Sequence, residues 1–185
     1  MITAKTKLAL IGLVFFGPLM LATWMYSSGN LTPEGSSNNG ALLTPVINIG
    51  DALPDSAVIP LADGNWLMLY TDTRACSDAC RDALYRQRLT RLMLGKEMDR
   101  VVRVFLHGDS AIDTVFLEGE HPGLKTINDK ALGNLLEEKR PQDMMPGGIY
   151  LFDPLANLVM YFPPDLEPRD MVDDIKHLLK LSRIG

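Results

Sequence analysis

The sequence predicts an α/β domain with a central mixed sheet flanked by helices, preceded by one N-terminal transmembrane helix. Three stretches carry the domain prediction. Trp66-Leu67-Met68-Leu69-Tyr70 is a continuous apolar run, as expected for a strand covered on both faces. From Asp82 to Met98, Leu84, Leu89, Leu92 and Met93 recur at helical spacing, while Arg81, Arg86, Arg88, Arg91 and Lys96 form a solvated face. Val101-Val102-Arg103-Val104-Phe105-Leu106 reads as the next strand. Strand, helix and strand in that order make a βαβ unit with a right-handed crossover.

The chain has 185 residues and a net charge of −5, with acidic and basic residues interspersed. No basic stripe is present, so nucleic acid is not an expected partner. Lys5 and Lys7 precede an uncharged stretch from Leu8 to Tyr26, long enough for a helix to cross a bilayer. Trp24 and Tyr26 lie at its far end, where aromatic residues favour the interface, and Pro18 is tolerated in such helices. No Lys or Arg follows until Arg74, so the N-terminus is expected in the cytoplasm. A cleaved signal peptide is the alternative. The length of the run and the lack of a small-x-small site before Ser27 favour a retained anchor. The expected organisation is a cytoplasmic N-terminus and anchor over residues 1–27, a flexible Ser/Gly/Asn-rich linker over 28–40, and one globular domain over 41–185. The protein is then single-pass in the inner (cytoplasmic) membrane, with its domain in the periplasm, where disulfides persist.

Within the domain, Leu42 to Ile49 is expected as an edge strand, because Pro45 argues against a central one. Val58 to Leu61 is a short apolar piece, and Asp63-Gly64-Asn65 signals a turn before the first buried strand. That strand leads into Cys76-Ser77-Asp78-Ala79-Cys80, which holds the only two cysteines. A strand whose loop delivers two thiols to a helix N-terminus is the arrangement of thioredoxin-like redox and metal proteins. Thiols four apart on a helix share a face, at roughly 6 Å between Cα atoms, within disulfide range. The pair can serve thiol–disulfide exchange as an oxidoreductase, clamp a soft ion such as Cu(I), or form an inert bridge. Arg74 and Arg81 favour a thiolate, and Asp78 opposes it.

Beyond the second strand, His107 ends close to the cysteine loop in a position from which it can ligate, while Asp109 and Asp113 are expected to cap the next turn or helix. His121 falls in the loop Gly119–Gly123. A helix capped at Asn128 or Asp129 runs to Lys139, before Pro141. A closing helix spans Asp170 to Leu181, through Met171, Val172, Ile175, Leu178 and Leu179, with His177 solvated.

Three groups of residues in this order carry a resemblance to a family. Cys76-Ser77-Asp78-Ala79-Cys80-Arg81 is similar to the C-P-D-x-C-P loop of the Sco family, with Ser77 and Arg81 in place of the prolines. Val104-Phe105-Leu106-His107-Gly108-Asp109, continuing through Asp113-Thr114, is similar to that family's V-F-I-S-V-D-P-x-x-D-T. Ile149-Tyr150-Leu151-Phe152-Asp153-Pro154, with Val159-Met160-Tyr161-Phe162, resembles its Y-L-I-D-P hairpin. Together these span roughly Ala41 to Leu181. The resemblance implies a membrane-anchored, thioredoxin-like protein that handles thiols or Cu(I) in cytochrome c oxidase assembly. Its partner would be an oxidase subunit or another extracytoplasmic thiol or copper protein. A Sco-like scaffold without redox or metal chemistry is the alternative. The family's copper-binding members add a histidine just before the Y-L-I-D-P strand; here Met145 stands in that place. Three readings are open: Cys76, Cys80 and Met145 bind Cu(I); the metal role is absent and thiol exchange remains; or Met144 and Met145 pack against the thiols. Pro146 takes the place of the thioredoxin cis-proline and is expected to be cis.

Overall fold

The computed structural model describes residues 3–27, 38–109 and 112–182. The chain divides into two compact units, Met1–Ser37 and Asn38–Gly185. The first holds helix α1 (Ala4–Ser27), with Pro18 in its interior. Among the described residues no helix is long and apolar enough to cross a membrane. The expected span also runs through residues 8, 9, 11 and 26, whose side chains lie outside the described ones. Residues 28–37 of the expected linker lie outside them as well.

The second unit is a six-stranded mixed sheet with helices on both faces. In chain order it contains β1 (Ala41–Asn48), the single-turn helices α2 (Ile49–Ala52) and α3 (Ile59–Ala62), and β2 (Trp66–Asp72). Then come α4 (Asp78–Met93), β3 (Val101–His107), α5 (Thr114–Glu120), β4 (Lys125–Ile127) and α6 (Lys130–Lys139). The hairpin β5 (Ile149–Phe152) and β6 (Asn157–Phe162) precedes α7 (Pro168–Leu181). Strand order is β1-β6-β5-β2-β3-β4. The apolar run at Trp66–Tyr70 is central and buried throughout, because it pairs with β3 on one side and β5 on the other. The edge position expected for β1 is observed, with a register shift between Leu42 and Ile47 around the cis Thr44–Pro45 peptide.

Alternation along the strands sorts side chains into two cores. Trp66, Met68, Tyr70, Phe105, Leu151 and Phe162 face α4 and α7. Leu67, Leu69, Val104, Leu106, Tyr150 and Phe152 face α6. The second unit is closed at its start by Asp174 of α7. This buried carboxylate accepts Gly40 N at 2.7 Å, Asn39 N at 3.1 Å and Asn39 Nδ2 at 3.1 Å.

Three local expectations are corrected. First, α4 starts one turn earlier than its apolar periodicity suggests. It buries Cys80, Ala83, Leu84, Gln87 and Thr90, whereas Leu92 and Met93 are exposed. Gln87 belongs inside because its Nε2 donates to the carbonyls of Met68 at 2.6 Å and Val104 at 3.1 Å, a use that an apolar count cannot detect. Second, the bond before Pro146 is not cis; among the described residues the cis peptide is Thr44–Pro45, and the chain turns at Gly147, with φ 87°. Third, Asp109 caps no helix and instead accepts Asn128 Nδ2 at 3.1 Å. Asp113 does cap α5, and Asp129 caps α6, through Phe116 N at 3.0 Å and Leu132 N at 2.9 Å.

Candidate functional site

Parallel pairing of β2 and β3 runs in register from Trp66 opposite Val101 to Asp72 opposite His107. Both strands therefore end together, and the thiol loop leaves beside the end of β3. Gly108 lets the two pack. A Cβ there would lie 2.2 Å from the Thr73 carbonyl oxygen, and Gly108 N donates to Asp72 O at 3.3 Å. Asp72 shapes the first residues of the loop by accepting Arg74 N at 3.0 Å. It also joins burial in pushing the Tyr70 hydroxyl upward, burial being the larger cause.

The loop ends in the N-cap of α4. Ser77 is extended, and its Oγ accepts Cys80 N at 3.4 Å. Cys76 lies just before the cap and Cys80 in the first turn, with Cα atoms 5.2 Å apart and the sulfurs joined in a disulfide. The two sulfurs are unequal. Cys80 is fully buried in the core under α4, whereas Cys76 is half-buried at the rim.

Cys76 lines a cavity of about 160 Å³ with Phe105, Ile112, Phe116 and Leu117. Arg74, Ala75, Arg81, His107 and Asp113 complete its wall. Arg81 ties α4 to α5. Its guanidinium lies 4.2 Å from the centre of the Phe116 ring and 3.7 Å from Asp113 Oδ2. His107 Nδ1 is 2.7 Å from the Gly108 carbonyl. A carbonyl only accepts, so Nδ1 is the donor in this contact. The adjoining larger groove, about 880 Å³, runs across the strand ends past Pro146, Gly147 and Gly148, and shares Arg74 and His107 with the small cavity.

The structure thus brings Cys76, Cys80 and His107 to one end of the sheet. Met145 lines neither cavity; it is 50 % exposed, and its carbonyl accepts the Tyr161 hydroxyl. Met144 packs into the core facing α6, opposite the core that holds Cys80, so it does not pack against the thiols. His177 is exposed, as expected. Among the described residues no group of three or more His, Cys, Asp or Glu could hold a metal ion. The two cysteine sulfurs, once reduced, fit a soft ion by donor type.

Sequence reasoning missed His121 and Arg103. His121 follows α5, is 3 % exposed, and meets Phe116 edge-on with ring centres 5.1 Å apart. Arg103, also buried, donates through Nη2 to Pro122 O at 2.7 Å, while its Nη1 and His121 Nδ1 have no hydrogen-bond partner among the described residues. Burial, then Arg91 and Arg88, pushes the Arg103 guanidinium down to about 10. An arginine within an otherwise apolar strand was the available signal.

This site is that of a thioredoxin-like domain carrying a disulfide at a helix N-terminus. The chain belongs to the family described as "Transmembrane-like, thioredoxin-like, C-terminal domain", which it matches over residues 66–182. No curated protein matches it. Among solved structures it is similar to yeast Sco1 with copper bound, at 21 % identity and TM-score 0.54, over 67 % of this chain and 81 % of that one. Arabidopsis thaliana ScoI with copper bound gives 18 % and 0.53, over 67 % and 89 %. Bradyrhizobium japonicum ScoI with copper bound gives 20 % and 0.50, over 64 % and 88 %. These likenesses establish the fold.

Burial chiefly, followed by Arg103 and Arg88, holds the His121 imidazole below the usual histidine value, with Glu120 acting the other way. Its folded value therefore lies below the unfolded value of about 6.5. Above that pH neither state binds the proton. As pH falls through it the unfolded chain gains a proton first, so stability drops. Urea midpoints at about pH 7.5 and about pH 5 are expected to fall less for His121→Phe than for the parent. Equal falls would show that His121 does not couple to folding.

Proposed function

We propose that this chain is a thiol–disulfide exchange protein in which Cys76 meets partners and Cys80 is the buried leaving or resolving sulfur. One observation carries the reading: a half-buried Cys76 and a fully buried Cys80 joined at the start of α4. An incoming thiolate reaches Cys76 Sγ, a mixed disulfide forms there, and Cys80 departs as a thiolate. Cys80 then lies in the first turn of a sixteen-residue helix, where the positive end of the dipole favours negative sulfur. In the reduced protein the same helix end, Arg74 and Arg81 favour a Cys76 thiolate, while Asp78 opposes it. Alkylation rate against pH in the reduced protein is expected to give a Cys76 midpoint below the free-thiol value of about 8.5. A midpoint at or above that value overturns the reading.

A second reading is Cu(I) handling by the reduced pair, supported by the two sulfurs' proximity and by the copper held by the similar Sco structures. Cys76 and Cys80 would hold the ion, with Met145 as the third donor proposed from sequence. Titration of the reduced protein is then expected to take up a single Cu(I), which Cys76→Ser with Cys80→Ser abolishes. Met145→Leu binding as tightly as the parent would remove Met145 from the donor set.

The proposed setting is the periplasmic side of the cytoplasmic membrane, with residues 1–27 as tether. The uncharged stretch Leu8–Tyr26 behind Lys5 and Lys7 supports it. The proposed partner is an oxidase subunit or another extracytoplasmic thiol or copper protein, supported by the Sco resemblance alone. Protease added to intact spheroplasts is expected to digest the domain; protection until lysis would place it inside.

A further inference from the structure

We propose that the small cavity beside Cys76 is a specificity subsite that takes one apolar side chain next to the partner's cysteine. This rests on the exchange reading and names the substrate class: polypeptides whose reacting cysteine has an aliphatic or aromatic neighbour. The cavity has about 160 Å³. Ligand pockets for whole small molecules run from about 300 to about 1,000 Å³, so this one is too small for a cofactor. Its inner wall is apolar: Phe105 and Leu117 are buried, and Ile112 and Phe116 are half-buried. Of the polar groups that line it, Arg81 pairs with Asp113 and Phe116, Arg74 with Asp72, and His107 Nδ1 with Gly108. Against the apolar inner wall, an apolar group that displaces poorly ordered water gains affinity.

Cys76 is itself part of the wall. When a partner's sulfur reaches Cys76 Sγ, the next residue of that partner has its Cα only about 3.8 Å along the chain. Its side chain is then within reach of the cavity, whose lining includes the exposed Ala75. The chemistry is the same exchange. The partner thiolate attacks Cys76 Sγ, the Cys76–Cys80 bond breaks, and Cys80 leaves as a thiolate. A second partner thiolate then displaces Cys76, so two electrons pass from partner to this protein.

The test uses the reduced full chain, as the parent and as Cys80→Ala. The probes are short peptides whose cysteine carries a thionitrobenzoate disulfide, so that attack by Cys76 releases coloured thionitrobenzoate. The residue before or after the cysteine is Leu, Phe, Gly or Asp. Leu or Phe at one of the two positions is expected to react at least about tenfold faster than Gly, with Asp no faster than Gly. Ala75→Leu, made at an exposed position, is expected to bring the Leu-to-Gly ratio close to one. Rates indifferent to the neighbouring residue, or a ratio that Ala75→Leu leaves intact, overturn the subsite while exchange at Cys76 stands. No reaction even with the unsubstituted small disulfide, dithionitrobenzoate, overturns the exchange reading and the subsite with it.

Discussion

The parallel, in-register pairing of β2 with β3 is the constraint on which the site depends. Strands that end level deliver their outgoing loops to the same place, the usual position for function in sheets of this kind. Here β2 is followed by the thiol loop and β3 ends in His107, so two segments about thirty residues apart in sequence form one wall. The contact is close because Gly108 has no side chain where the Thr73 carbonyl approaches. A βαβ unit alone would bring the ends near each other. The absent Cβ lets them touch.

The burial of α4 then decides the chemistry available. The helix must bury one face against Met68, Tyr70 and Phe105, and Cys80 lies on that face. Cys76 precedes the N-cap and escapes the same burial. Unequal exposure of two bonded sulfurs gives a disulfide a direction, with one atom open to attack and the other placed to leave. Arg81, the residue after Cys80, carries this arrangement across to α5 through Phe116 and Asp113. The wall around Cys76 is therefore contributed by β3, α4 and α5 together.

Much of the fold was legible because it is written in local patterns. The apolar run at Trp66–Tyr70, the capping aspartates at 113 and 129, and Pro45 in β1 each act within a few residues, and each is found as expected. The misses share a cause. Gln87 and Thr90 lie inward although polar, Leu92 and Met93 lie outward although apolar, and His121 is buried in what reads as a loop. In the two cases with a visible partner, contacts outside the local apolar pattern decide: the carbonyls of Met68 and Val104 on the sheet for Gln87, and for His121 the Phe116 ring of α5, with Arg103 of β3 holding the adjacent Pro122 carbonyl.

By itself the sequence determined that two sulfurs stand four residues apart between an apolar strand and a helix, because strand, cap and helix signals are short-range. Only the tertiary structure decided which sulfur faces outward and which side chains surround it. Met145, adjacent to the Pro146 that lines the larger groove, stays outside both cavities, while His107 and Phe116 line the cavity of Cys76. Side-chain neighbourhoods of this kind are set by strand register and by the buried face of a helix. Both depend on packing energies summed over contacts that no short window of sequence contains.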